Sequence, residues 1–124
     1  MAAIGHSTWV IPGGHLPLRS SGREPDFTSV DEVCILNTGA SPAAMKLTVY
    51  YAARDPVGPY ELVVSSKRVL HVRVNDLIDP EAIPLDEPYA CVVESDVPVV
   101  VQFTRRDTSQ TANAIATAMA FPWS

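Results

Sequence analysis

Eleven prolines and six glycines are spread through 124 residues, and they cut the chain into short pieces. A proline inside a helix removes a backbone N–H and clashes with the preceding turn, so long helices cannot survive at that spacing. The pieces between these breaks are rich in Val, Ile, Leu and Tyr, which suit a pleated, half-buried surface. The chain is therefore expected to be all-β: an antiparallel, jelly-roll-like two-sheet β-sandwich of seven or eight strands, forming one domain over residues 1–124. A chain of this length can bury roughly two thirds of its unfolded surface, so neither a metal nor a disulfide is needed to hold it.

Strands are expected near Ser7 to Ile11, Val33 to Asn37, Ala44 to Ala52, Tyr60 to Val64, Arg68 to Asn75, Tyr89 to Ser95 and Val99 to Arg105. Turns are expected at Pro12-Gly13-Gly14, Asn37-Thr38-Gly39, Asp55-Pro56-Val57-Gly58-Pro59 and Glu94-Ser95-Asp96-Val97-Pro98, where residues that fix or free φ cluster. Leu77 to Pro88 reads as a surface loop with one short helical turn after Asp79-Pro80. From Thr108 to Ala120 the alanines suit a helix, whereas Ile115, Thr117, Met119 and Phe121 alternate as a strand would; strand is the favoured reading.

The net charge of −5 opposes electrostatic capture of nucleic acid or acidic membrane by the protein as a whole. Cys34 and Cys91 both sit in apolar strand-like runs and read as buried thiols in a reducing compartment. The start, Met-Ala-Ala-Ile-Gly-His, lacks the charged opening and long apolar stretch of a secretory signal, and no apolar run approaches the about 18 residues that cross a bilayer. A soluble cytoplasmic protein is expected. Catalytic signatures are missing too: there is no Gly-x-Ser-x-Gly elbow and no phosphate-binding glycine loop. The histidines at 6, 15 and 71 form no spaced metal pair, so a metal site would have to be assembled from distant strands. No cofactor and no metal is expected, and both cysteines read as structural.

One run carries a chemical pattern. Between Val69 and Asp76, His71, Arg73 and Asn75 stand two residues apart, which on an extended strand puts an imidazole, a guanidinium and an amide on one side of a sheet and Leu70, Val72 and Val74 on the other. Such a row can recognise a polar ligand or partner. A similar split follows Val99, Val101, Phe103 and Arg105, with Val100, Gln102 and Thr104 facing the other way; Arg105 is expected at the rim of a sheet, where its fork can meet carboxylate or hydroxyl groups.

Read in order, Thr8-Trp9-Val10-Ile11-Pro12, Gly22-Arg23-Glu24-Pro25-Asp26-Phe27, Val33-Cys34-Ile35-Leu36-Asn37, Tyr50-Tyr51 with Pro56-Val57-Gly58-Pro59-Tyr60, His71-Val72-Arg73-Val74-Asn75-Asp76-Leu77, and Val99-Val100-Val101-Gln102 with Thr104-Arg105 resemble the sensory rhodopsin transducer family. The resemblance runs from about Thr8 to Ala120. The loop Gly13-Gly14-His15-Leu16 and the end Phe121-Pro122-Trp123-Ser124 depart from the rhodopsin-associated members. The resemblance implies a soluble cytoplasmic β-sandwich that assembles as a homotetramer and relays a signal from a membrane rhodopsin, or, in other branches, binds a sugar-like small molecule.

Trp9 is then either a stacking platform for a sugar ring or an interface, or a core residue. Glu24, held extended by Pro25, either accepts ligand hydroxyls, pairs with Arg73 or is a solvated loop acid. The candidate ligand-binding set is Trp9, Glu24, His71, Arg73, Asn75, Gln102 and Arg105. The leading expectation is a non-catalytic signalling or binding protein. A DNA-associated, transcription-linked protein using Arg54, Arg105 and Arg106 is the alternative, and an enzyme using His71 with Glu24 or Asp76 as acid and base is a minor third reading.

Overall fold

A computed structural model describes residues 2–16, 30–107 and 114–123. Among the described residues eight strands follow one another: β1 His6–His15, β2 Val30–Asn37, β3 Ala43–Tyr51, β4 Val57–Val64, β5 Arg68–Arg73, β6 Pro88–Asp107, β7 Ala114–Met119 and β8 Phe121–Trp123, with one 3₁₀ turn at Val74–Asp76. Every pairing is antiparallel. One sheet runs β4-β3-β6-β1-β8 and the other β5-β2-β6-β7, so the chain is an all-β sandwich with β6 in both layers.

Period-two alternation builds the core. Along β3, Ala43, Met45, Leu47 and Val49 are buried while Ala44, Lys46 and Tyr50 face solvent. Val33 and Ile35 from β2, Trp9 and Ile11 from β1, Tyr60 and Val64 from β4, and Val93, Val99 and Val101 from β6 meet them between the sheets. Fully burying such a side chain stabilises the fold by about 1.5–3 kcal/mol, so these rows dictate the register of each strand.

Four expectations are corrected here. Tyr89 to Ser95 and Val99 to Arg105 are one strand of 20 residues, and Glu94-Ser95-Asp96-Val97-Pro98 is not a turn. Opposite β1 the register jumps from Thr8↔Glu94 to His6↔Val99, which leaves 95–98 bulged and Pro98 where no ladder donor is required. The local polar groups serve the bulge: Asp96 Oδ1 accepts Ala44 N at 2.8 Å and Ser95 Oγ accepts Val97 N at 3.3 Å. At its far side the chain is pinned by Gly5, whose φ of +115° and lack of a Cβ admit Val99 O; a Cβ there would lie 1.9 Å from that oxygen.

Pro12-Gly13-Gly14 likewise lies within β1 rather than in a turn, with a register shift between Ile11 and Gly14. Third, β5 ends at Arg73, and Val74–Asp76 closes a 3₁₀ turn, so Asn75 leaves the strand row. The helical turn expected after Asp79-Pro80 is not formed there, and Ile83 in that loop is buried. The strand reading of the tail holds for Ala114–Met119, with a further strand at Phe121–Trp123; the part of that segment at 108–113 lies outside the described residues.

Asn37, fully buried, staples one end of the sandwich. Its Nδ2 donates to the carbonyls of Ser41 at 2.9 Å, Val64 at 3.1 Å and Ser65 at 3.3 Å, and its Oδ1 accepts Gly39 N at 3.0 Å. Asn37→Ala strips the buried partners of their bonds and is expected to cost about 2–3 kcal/mol, read as a shifted urea midpoint with an unchanged slope. An unchanged midpoint would mean that water replaces the amide without loss.

Candidate functional site

The outer face of the second sheet is ordered by its ladders into cross-strand rows. Val69, Leu36 and Val100 form an apolar row; His71, Cys34, Gln102 and Met119 form the next; Arg73, Glu32, Thr104 and Thr117 form the third. Directly opposed residues on one face lie close enough to interact. Glu32 sits at the centre of the polar part: its Oε1 is 3.4 Å from His71 Nδ1 and accepts the Cys34 thiol at 3.4 Å. The Thr104 and Thr117 hydroxyls lie 3.2 Å apart beside them. Val69, Met119 and Leu36 are 59%, 57% and 41% exposed, so solvent-facing apolar surface flanks the polar rows.

Cys34 is half-buried on this face, which corrects the expectation of two buried thiols; only Cys91 is inside the sandwich. Desolvation, together with the hydrogen bond and the charge of Glu32, raises the Cys34 thiol above its ordinary value, while Thr104 pulls the other way. The thiolate is the reactive form of cysteine, so surroundings that raise the Cys34 thiol do not activate it as a nucleophile.

A second polar group lies inside, at one end of the sandwich. Asp31 is 1% exposed because it shares the inward row of Val33 and Ile35. Its Oδ2 accepts the Tyr89 hydroxyl at 2.5 Å and His15 N at 3.1 Å, its Oδ1 takes Arg105 Nε at 3.3 Å, and its own N–H donates to Asn75 Oδ1 at 3.4 Å. Arg105 also donates from its Nη2 to the His15 carbonyl at 2.9 Å, and His15 Nε2 faces Asp86 Oδ1 at 3.3 Å. Gly14 makes room for this: a Cβ there would meet the Tyr89 ring at 2.2 Å.

The predicted set is therefore divided. His71, Arg73 and Gln102 share the outer face, whereas Asn75 and Arg105 join the buried Asp31 group, Asn75 because the 3₁₀ turn rotates it inward. Trp9 is the core residue of its two readings, 4% exposed with Nε1 donating to Val99 O at 2.9 Å and His6 O at 3.0 Å, and offers no ring face to a sugar. Glu24 lies outside the described residues. Of the DNA-contact set, Arg54 is turned to Glu81 at 2.8 Å and lies over the Tyr51 ring, and Arg105 is engaged by Asp31. Such engaged cations are poorly placed to neutralise phosphates, and the Arg106 side chain lies outside the described residues. Asp31, Glu32 and Tyr89 were missed from sequence; the available signal was the alternation that places Asp31 in the row of Val33 and Ile35, where a carboxylate needs partners.

An antiparallel two-sheet sandwich with polar rows on one outer face defines the class, an all-β sandwich protein. The chain belongs to the Anabaena sensory rhodopsin transducer family, whose profile matches residues 4–122. Among solved structures it is similar to the Anabaena sensory rhodopsin transducer, with 47% identity, a TM-score of 0.78, and 84% of this chain and 100% of that one covered. It is also similar to Thermotoga maritima 1070, with 30% identity, a TM-score of 0.84, and 96% of each chain covered. A search of curated proteins gave no match. Among the described residues no helix is long and apolar enough to cross a membrane.

Proposed function

We propose that this chain is a non-catalytic cytoplasmic transducer that binds the cytoplasmic side of a membrane photoreceptor rhodopsin through the outer face of its second sheet. The observation that carries this is the mixed surface of that face, where exposed Val69, Leu36 and Met119 border His71, Arg73 and Gln102. An apolar patch beside polar groups suits a protein partner, whereas a small-molecule site is concave and encloses its ligand. The name of the Anabaena relative supplies the partner class. Sugar sensing has less support, because Trp9, the expected stacking platform, is buried. Assembly as a homotetramer belongs to the same reading, and exposed Phe121 and Trp123 on the edge strand β8 offer apolar surface for subunit contact.

Arg73→Ala is expected to weaken binding to a microbial sensory rhodopsin in nanodiscs by about tenfold, a loss typical of an interface arginine. Calorimetry with wild type and variant reads it. Unchanged affinity, or heat evolved only with a panel of sugars, would overturn the reading.

A further inference from the structure

We propose that Glu32, Cys34 and His71 form a three-ligand site for a divalent transition-metal ion, best matched by zinc, on the outer face of the second sheet. The sheet itself brings the ligands together. Glu32 and Cys34 are two residues apart on β2 and so point to the same side, and His71 on β5 is the ladder partner of Cys34. Carboxylate oxygen, thiol sulfur and imidazole nitrogen all lie within 4.8 Å of one another. Cys34 Sγ and His71 Nδ1 are each 3.4 Å from Glu32 Oε1. Bonds of about 2.0–2.3 Å at tetrahedral angles place donor atoms about 3.3–3.8 Å apart, so two of the three separations already lie close to those around a bound ion.

The donor chemistry selects the metal class. One sulfur, one nitrogen and one oxygen suit zinc and its borderline neighbours; magnesium and calcium prefer all-oxygen shells. Binding exchanges the thiol proton for the ion: the S–H bond breaks, the proton goes to solvent, a sulfur–metal bond forms, and no oxidation state changes. Thr104, across the ladder from Glu32, places its hydroxyl next to Cys34 as a second-layer donor to the sulfur. Arg73 is opposite Glu32 in register but makes no ion pair among the described residues, which leaves Oε1 directed at His71 and Cys34. His71 is 57% exposed in its side chain, so the fourth coordination position of a tetrahedral ion faces solvent, where water or a single donor from a partner completes it. The site goes beyond the transducer reading, since it requires no rhodopsin to be occupied.

The test uses the reduced, tag-free full chain, stripped with a chelator and titrated with Co²⁺ and then Zn²⁺. One equivalent of Co²⁺ per chain is expected, with a thiolate-to-cobalt charge-transfer band that Zn²⁺ abolishes. Cys34→Ser should remove the band with the far-ultraviolet circular dichroism of the sandwich intact, and Glu32→Gln and His71→Ala should each weaken binding about tenfold or more. No saturable band, or a band that persists in Cys34→Ser and so arises from Cys91, would overturn the site. Should Cys34→Ser fold poorly, the other two variants decide: retained affinity in both overturns the proposal, and loss in both supports it.

Discussion

Asp31→Ala is expected to destabilise the protein by about 3–5 kcal/mol, the largest effect of any single substitution outside the apolar core. The carboxylate is 1% exposed, and its removal leaves three donors without an acceptor at once: the Tyr89 hydroxyl, the Arg105 Nε and the His15 amide. Each buried donor left unsatisfied costs about 1–3 kcal/mol, which falls on the Tyr89 hydroxyl and the His15 amide, whereas the Arg105 side chain, 34% exposed, can turn to water. A cavity adds to the loss. Total stability of a domain is about 5–15 kcal/mol, so the melting temperature should fall by on the order of 10 °C or more. Asp31→Asn keeps an acceptor for Tyr89 but loses the charge that holds Arg105, and should fall between the two. Thermal unfolding by circular dichroism ranks the three proteins, and a melting temperature for Asp31→Ala within 2 °C of wild type, roughly the shift for half a kcal/mol, would show that Arg105 and Tyr89 find other partners.

The second large effect is alkaline lability. Burial, followed by the charge of Asp31 and the hydrogen bond to it, pushes the Tyr89 phenol far above its ordinary value of 10.0. Burial alone pushes the Cys91 thiol from 9.0 up to about 12. In both cases the folded chain keeps a proton that the unfolded chain releases, so their stabilisation is complete below the unfolded values and is lost as pH rises. Stability should begin to fall near pH 9 as unfolded Cys91 ionises, by about 1.4 kcal/mol per pH unit. Above pH 10, where Tyr89 joins it, the slope should at least double, to about 3 kcal/mol per unit or more. Tyr51, Tyr60 and Cys34, all raised by desolvation, act in the same direction. Urea unfolding under reducing conditions from pH 8 to 11 measures the slope, and Tyr89→Phe should flatten it above pH 10. A midpoint unchanged to pH 11 would contradict the assignment.

The β-sandwich was legible because hydrophobic burial enforces period two, and β2, β3 and the start of β5 display it in their residues. The continuity of β6 was not. Glu94-Ser95-Asp96-Val97-Pro98 has the composition of a turn, but its polar side chains satisfy a bulge instead, with Asp96 capping Ala44 and Ser95 receiving Val97. Composition cannot distinguish these outcomes, since both require the same local hydrogen bonds. Gly13-Gly14 misled for a different reason: Gly14 is there to admit the Tyr89 ring rather than to bend the chain.

For the site, the row of His71 and Arg73 was readable from alternation, and so was the outward Gln102. Asn75 was not, since the strand stops at Arg73 and a 3₁₀ turn reverses the side on which the amide falls. Asp31 and Glu32 were passed over because acids are depleted in strands, and the expected strand began only at Val33. Asp31 depends on Tyr89 and Arg105 and Glu32 on His71, partners distant in sequence that only the closed sandwich brings to them.

The length of β6 has a mechanical consequence. Its first half is clasped by β1 and β3 and its second half by β2 and β7, so one run of backbone is the spine of both layers. Sliding that spine by one residue would turn inside out the side chains of both sheets together, at the cost of the whole core. The backbone that carries Gln102 on the outer face of one sheet is therefore the same backbone that runs past Val99 to the strands around Trp9 in the other.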